Sequence, residues 1–287
     1  MESLVSTQWL AGRPGQSGLA IIDASSHLPT AGRDARADFE AGHIPGAVFL
    51  DLDTLTNPES PVPSAVPTGE FLARRLAELG VDPSADIVVY DDSDVHSGCR
   101  AWFILTMNGI ANVAVLDGGM AKWKAEGRSL EQGRQSGEAH QPATLVSNTG
   151  KLRFKADVLA NISSGAEQLV DARGAGRFTG EVPEVRPGMP SGHIPGAVNL
   201  PYSELYQGDG TFKSKEDLRQ LFAARGIDLA RPVTTTCGSG VTAACITFAM
   251  HLLGKDDVSL YDGSWSEWAV DPDLPKVTGP SATGAVD

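Results

Sequence analysis

The chain is poor in cysteine, has no excess of basic charge and contains no long hydrophobic run. Among 287 residues there are three cysteines, Cys99, Cys237 and Cys245. They form no CxxC pair and show no zinc spacing, which argues against a disulfide scaffold or a structural metal and suits a reducing compartment. Lys and Arg number 23 against 36 Asp and Glu, a formal net charge of −13. That balance argues against nucleic acid or an anionic membrane as the main partner, although a locally basic pocket still admits a small anionic substrate. No apolar run approaches the roughly 20 residues of a membrane span. The opening MESLVSTQWLAG lacks a basic n-region and a long apolar h-region, so it does not read as a signal peptide. The expected location is cytoplasmic.

What the chain does contain is a repeat. AGHIPGAVFLDLDTL (41–55) returns as SGHIPGAVNLPYSEL (191–205), AIIDAS (20–25) as QLVDAR (168–173), and AVLDGGMAKW (114–123) as SLYDGSWSEW (259–268). Three matches in the same order, at nearly constant offset, indicate two copies of one domain of about 120 residues, too long a period for a solenoid. Within each copy, short β-rich runs alternate with helical patterns. In the second copy EQLVDA, AVNLPY, PVTTTC and VSLYDG read as strands. SKEDLRQLFAARG reads as a helix with Ser214 as N-cap, Asp217 three residues on and Gly226 closing it. GVTAACITFAMHLLG reads as a second, more apolar helix closed by Gly254. Such alternation predicts an α/β fold in each copy, a parallel sheet flanked by helices. Residues 126–151 are polar and rich in Gly, Ser and Gln, a surface linker by composition. The expected division is 1–128, a linker over 129–150, and 151–287.

The stretch TTTCGSGVTAAC (234–245) carries the chemistry. Cys237 ends a buried strand, where open α/β sheets place ligand sites. Gly238 and Gly240 let the backbone curl so that N–H groups point at the sulfur, and the next helix aims its positive end there. That setting favours a thiolate and can also hold a persulfide or an oxyanion. Cys99 and Cys245 lack the glycine cradle and read as small core residues. His43 and His193 lie in the paired GHIPGA segments, and their duplication points to structure, since only one copy keeps the cysteine. Trp265 and Trp268 read as core, with Trp265 a neighbour of the site.

These motifs resemble the two-domain rhodanese family of sulfurtransferases, and CGSGVT resembles its mercaptopyruvate branch. The resemblance spans nearly the whole chain: GRDARADFEAGHIPGAVFLDLD, VLDGGMAKW, VDARGAGRFTGEVPEVRPGMPSGHIPGAVNLPY, CGSGVTA and YDGSWSEW. It implies tandem rhodanese-like domains with the site in the interdomain cleft. Cys237 is the implied nucleophile, taking sulfur from a small anionic donor as a persulfide. An acceptor thiol, from a thioredoxin-like protein or a low-molecular-weight thiol, or cyanide, then takes the outer sulfur. No metal or organic cofactor is implied. Arg177 and Arg186 match the family's substrate-binding arginines, and two arginines nine residues apart in a Gly/Pro-rich loop suit a carboxylate clamp. Gly238, Gly240, Val241 and Thr242 are the remaining implied substrate contacts. Asp53 and Ser239 match two members of the family's proton relay.

The chain departs from the family at two places. SPVPSAVP (60–67) has Ser64 where the relay His is usual. DASSH (23–27) has Ser26 where an aromatic is usual, which makes the adjacent His27 a candidate substitute base; the alternative is an exposed loop histidine with no role. In the first copy Asp91 stands about where Cys237 stands in the second, so that half is expected to be catalytically silent. A rhodanese-like phosphatase needs an arginine six residues after its cysteine, and position 243 is alanine. A thiosulfate sulfurtransferase and a non-catalytic sulfur carrier are the competing readings.

Overall fold

Each copy builds one five-stranded parallel sheet, as the alternation of strand and helix patterns predicts. The computed structural model describes residues 1–135, 137–186 and 188–281. The first copy runs β1 (Leu4–Val5), α1 (Thr7–Ala11), β2 (Leu19–Asp23), α2 (Ala35–Ala41), β3 (Ala47–Phe49), α3 (Gly69–Glu78), β4 (Asp86–Tyr90), α4 (Gly98–Met107), β5 (Val113–Leu116) and α5 (Gly119–Ala125). The second runs β6 (Leu152–Arg153), α6 (Lys155–Ser164), β7 (Gln168–Asp171), α7 (Ala175–Thr179), β8 (Val198–Asn199), α8 (Lys215–Ala224), β9 (Val233–Thr236), α9 (Ala243–Leu252), β10 (Val258–Tyr261) and α10 (Ser264–Trp268). The strand orders are β1-β5-β4-β2-β3 and β6-β10-β9-β7-β8. Element by element the two orders are the same, which is what a duplicated domain requires.

Local signals explain the elements. In α8 the Ser214 hydroxyl accepts the Asp217 N–H at 3.1 Å and donates to the Asp217 carboxylate at 2.7 Å. Gly226 follows the helix with φ +69°, a value that costs glycine little. The central strand β9 reads VTTT and every residue of it is buried. Two of its hydroxyls differ in how they are met: Thr235 meets Thr247 of α9 at 2.9 Å, and Thr247 in turn donates to the Ala243 carbonyl at 3.2 Å, whereas Thr236 Oγ1 has no hydrogen-bond partner among the described residues. The helix after β9 begins at Ala243, later than its apolar pattern suggests, because Gly240 has φ +80° and still belongs to the loop. Cys245 consequently lies in the first turn of α9.

The paired histidines have matching surroundings. His43 stacks on Phe39 with centroids 4.0 Å apart and donates from Nδ1 to the Phe39 carbonyl at 2.8 Å. His193 stacks on Phe178 at 3.6 Å and donates to the Phe178 carbonyl at 2.9 Å. Both are buried core residues, and burial lowers the His193 pKa below its ordinary value.

The chain divides into two compact units, but not by a single cut. The first unit comprises Met1–Ser60, Val66–Thr149 and Gln207–Phe212, and the second Pro61–Ala65, Gly150–Tyr206 and Lys213–Asp287. The polar stretch expected to be a linker lies along the first unit, where Glu131 forms a bridge with His43, the Gly133 N–H donates to the Glu40 carbonyl at 2.8 Å and the Asn148 N–H to the Met107 carbonyl at 2.7 Å. Residues 207–212 join the first unit through the Phe212 N–H on the Asp117 carboxylate, 2.8 Å, and Lys122 on Asp209, 3.0 Å. Among the described residues, no helix is long and apolar enough to cross a membrane.

Candidate active site

Cys237 is the first residue after β9, and the first turn of α10 holds it. The Cys237 N–H donates to the Ser264 hydroxyl at 3.3 Å, the Trp265 N–H donates to the Cys237 carbonyl at 3.0 Å, and the Ser266 N–H donates to the Gly238 carbonyl at 2.9 Å. Ser264 reaches this position with φ +49°, a left-handed conformation uncommon outside glycine. The equivalent position in the first copy is Gly119, with φ +54°. That glycine-to-serine exchange between the copies was a readable signal for Ser264, which motif reading passed over.

The loop then turns back on its own sulfur. The Gly240 N–H donates to Cys237 Sγ at 3.1 Å. Cys237 and Gly240 are buried, whereas Gly238, Ser239, Val241 and Thr242 are partly exposed. Val241 and Thr242 form the turn into α9, their carbonyls accepting from the Ala244 and Cys245 N–H groups at 3.2 and 3.1 Å. From the 61–65 segment the Ser64 hydroxyl donates to the Ser239 main-chain carbonyl at 2.9 Å. The second unit thus gathers Cys237, the loop glycines, Ser239 and Ser64.

Arg177 reaches the same loop from α7, a short helix rather than the Gly/Pro-rich coil expected. A Cβ on Gly238 would lie 3.2 Å from Arg177 Nη2, so glycine at 238 leaves room for the guanidinium. Arg177 donates from Nε to Glu184 Oε2 at 3.1 Å and also from Nη2. Glu184 accepts from Arg173 Nη1 at 2.7 Å as well. Arg173 is 1% exposed, forks onto Asp171 with Nη2 2.6 Å from Oδ2, and lies over the Trp265 ring with its guanidinium carbon 4.6 Å from the centroid. Burial alone would lower the Arg173 pKa; Asp171 and Glu184 more than reverse that and hold it above its ordinary value. Arg173 and Glu184 were missed in the sequence, where isolated charges in a loop read as solvated surface. Their signal was the Ser25-to-Arg173 difference between AIIDAS and QLVDAR, together with an acid flanked by two arginines. Trp265 lies in the core, 1% exposed, and is also a direct neighbour of the cysteine.

The remaining candidates have other surroundings. Arg186 is exposed and makes no ion pair among the described residues. Asp53 and His27 belong to the first unit. Asp53 accepts from the Ser26 hydroxyl at 2.8 Å. His27 is not an exposed loop residue: its side chain is 5% exposed, with Nε2 3.2 Å from Asp38 Oδ2 of α2.

Comparison with known proteins matches this geometry to a family. The rhodanese-like domain matches residues 6–126 and again 155–271. The chain is 41% identical over 274 residues to human 3-mercaptopyruvate sulfurtransferase, covering 93% of this chain and 91% of that protein. It is 40% identical over 277 residues to chicken thiosulfate sulfurtransferase, covering 93% of each. The crystal structure of the Escherichia coli 3-mercaptopyruvate enzyme superimposes with a TM-score of 0.83 at 36% identity, covering 93% of this chain and all of that one. With both copies matched and relatives aligned over nearly their full length, the chain belongs to the rhodanese family and is a sulfurtransferase of two tandem rhodanese-like domains.

Proposed function

We propose that this sulfurtransferase moves sulfur from 3-mercaptopyruvate through a persulfide on Cys237 to a thiol or cyanide, releasing pyruvate. The observation that carries the reading is Cys237 itself, set between a strand end and a glycine turn, with the Gly240 N–H on its sulfur and the Arg177 guanidinium against Gly238. The Cys237 thiolate attacks the donor sulfur and the bond from that sulfur to carbon breaks. The bonding pair leaves on carbon as the pyruvate enolate, which takes up a proton. An acceptor thiolate then attacks the outer sulfur and restores Cys237; cyanide as acceptor gives thiocyanate.

Arg177 and Arg186 divide the recognition of the donor's carboxylate and carbonyl, one held in place by Glu184, the other an exposed charge. The loop from Gly238 through Gly240, Val241 and Thr242 receives the transferred sulfur. Ser239 and Asp53 are the relay members present in this chain. Ser64 anchors the Ser239 carbonyl rather than moving a proton, because its hydroxyl hydrogen is committed to that bond. Three free, buried cysteines suit a reducing, cytoplasmic setting, and a thioredoxin-like protein or small thiol is the acceptor in such a compartment.

Thiosulfate is the second reading for the donor. The relay histidine is replaced by Ser64, and chicken thiosulfate sulfurtransferase is as similar as the mercaptopyruvate enzymes are. Attack of Cys237 on the outer sulfur of thiosulfate breaks its S–S bond and releases sulfite, so no proton is needed on carbon. The deciding experiment measures pyruvate release from mercaptopyruvate beside thiocyanate formation from thiosulfate and cyanide. The expected outcome is a higher kcat/KM with mercaptopyruvate. A preference for thiosulfate reverses the donor assignment, and turnover of neither donor removes the catalytic one.

A further inference from the structure

Four charges of alternating sign run from the end of β7 to the cysteine loop: Asp171, Arg173, Glu184 and Arg177. Glu184 is the joint of the series. Its side chain is 2% exposed, and a carboxylate at that depth is costly unless its oxygens are met by donors. Oε1 takes Arg173 Nη1 at 2.7 Å and Oε2 takes both Nε and Nη2 of Arg177. Arg173 is itself immobile, bound by Asp171, by the Gly192 carbonyl at 2.9 Å and by the Trp265 face. The same Trp265 holds the Cys237 carbonyl through its main-chain N–H. The nucleophile and Arg177 are thus referenced to one buried Arg–Trp pair.

We propose that Glu184 is a positioning residue of the donor site, fixing the Arg177 guanidinium beside the Cys237 loop; this rests on the reading of Arg177 as a donor contact. An arginine on a five-residue helix with a 25% exposed side chain would otherwise sample many rotamers. Two N–H bonds to one buried carboxylate remove that freedom and leave the Nη1 amine to meet a donor carboxylate. The absence of a side chain at Gly238 then has a purpose, because a Cβ there would press on Nη2.

The test is a double-mutant cycle between Glu184→Asp and Arg177→Ala. Aspartate keeps the charge and shortens the reach by one methylene, so geometry alone changes. With mercaptopyruvate, Glu184→Asp is expected to lower kcat/KM at least tenfold in the wild-type background and less than twofold in the Arg177→Ala background, since groups acting through one contact are not additive. Equal losses in both backgrounds mean a merely structural role and overturn the assignment, as does an unchanged kcat/KM. If Glu184→Asp does not fold, Glu184→Gln enters the same cycle, because it puts an NH2 donor in place of one of the two accepting oxygens and so sets that donor against a guanidinium. A readout independent of turnover is the rate of Cys237 alkylation by anionic iodoacetate relative to neutral iodoacetamide, followed by intact mass. Arg177→Ala and Glu184→Asp should depress that ratio to a similar extent. Should no sulfur donor be turned over, the proposed function fails, while this ratio still decides on Glu184: a ratio that Glu184→Asp does not move overturns the assignment.

Discussion

The loop after β4 and the loop after β9 start from the same point of the same fold and hold different side chains. Asp91 follows β4 as Cys237 follows β9. The Asp91 carbonyl accepts the Met120 N–H at 2.9 Å, as the Cys237 carbonyl accepts that of Trp265 at 3.0 Å. Beyond the backbone the two loops differ. In the first copy the Asp91 carboxylate fills the turn itself: Oδ2 accepts the Gly98 N–H at 2.9 Å, and Oδ1 accepts the Ser93 N–H and hydroxyl at 3.0 and 2.8 Å. In the second copy a main-chain N–H, that of Gly240, is on a sulfur. In both copies the scaffold turns a main-chain N–H onto the side chain at this point. What occupies the turn differs: a fixed carboxylate in the first copy, a cysteine in the second.

A second pair of positions sharpens the contrast. Asp23 and Asp171 end the equivalent strands β2 and β7, and both are buried. Asp171 is met by Arg173. Asp23 has Ser25 at the corresponding place, whose hydroxyl and N–H donate at 2.5 and 2.9 Å. Burial without a cation pushes the Asp23 pKa up to about 6, against the lowering effect of those bonds. The copy with the cysteine pairs its strand-end acid with an arginine; the other carries a buried acid whose pKa burial raises to about 6.

The comparison breaks most completely at the nucleophile. Cys237→Ser is expected to abolish sulfur transfer with the fold intact, because serine is nearly isosteric and cannot form a persulfide. Intact mass after donor treatment without acceptor should show one added sulfur atom, lost in that variant. Cys99→Ser and Cys245→Ser should keep most activity. Wild-type turnover in Cys237→Ser would sink the mechanism.

Next in size are the two arginines proposed as donor contacts, Arg177 and Arg186. Each charge-assisted contact is worth about 1.5–3 kcal/mol, so Arg177→Ala and Arg186→Ala should each lower kcat/KM for mercaptopyruvate roughly 10- to 150-fold, mainly through KM. Unchanged kinetics in both would move the donor site elsewhere. Arg186→Lys should recover only part of the loss, since a point charge does not reproduce a planar fork.

The Asp23 contrast predicts a pH effect on stability. Because its folded pKa lies above the unfolded value of 3.8, the folded state holds the proton more tightly. Stability is then full below about pH 4, falls as pH rises, and reaches its lower plateau above about pH 6, a total of about 3 kcal/mol. Denaturation of wild type and Asp23→Asn across pH 4–7 should show the wild type losing that amount relative to the variant. Parallel curves would refute the titration of Asp23.

The smallest effect is expected at Asp91. Asp91→Ala removes the acceptor for the Gly98 N–H at the start of α4, which should cost about 1–2 kcal/mol of stability, as loss of a helix cap does, and leave sulfur transfer at Cys237 in place. A loss of transfer without a loss of stability would show that the first copy's loop takes part in the chemistry.

The duplication, the parallel α/β fold and the family were legible in the sequence. Those features are written in contiguous stretches: strand–turn–helix patterns, the recurring GHIPGA and DG(G/S) segments, and a cysteine next to turn glycines. Cys237 and Arg177 were singled out by motif, whereas the short helix that carries Arg177 was not. The tertiary structure alone decided the rest. It placed Glu184 between two arginines, Gly238 against Arg177, Ser64 on the Ser239 carbonyl and His27 on Asp38. It also grouped residues 61–65 and 207–212 with the opposite units. Ser64 and Ser239 are 175 residues apart, and no spacing rule connects such a pair. Periodicity and turn chemistry act between near neighbours in the chain. The partner of a buried charge or a committed hydroxyl is whichever group the folded chain brings within hydrogen-bond reach, and burial then makes that partner obligatory.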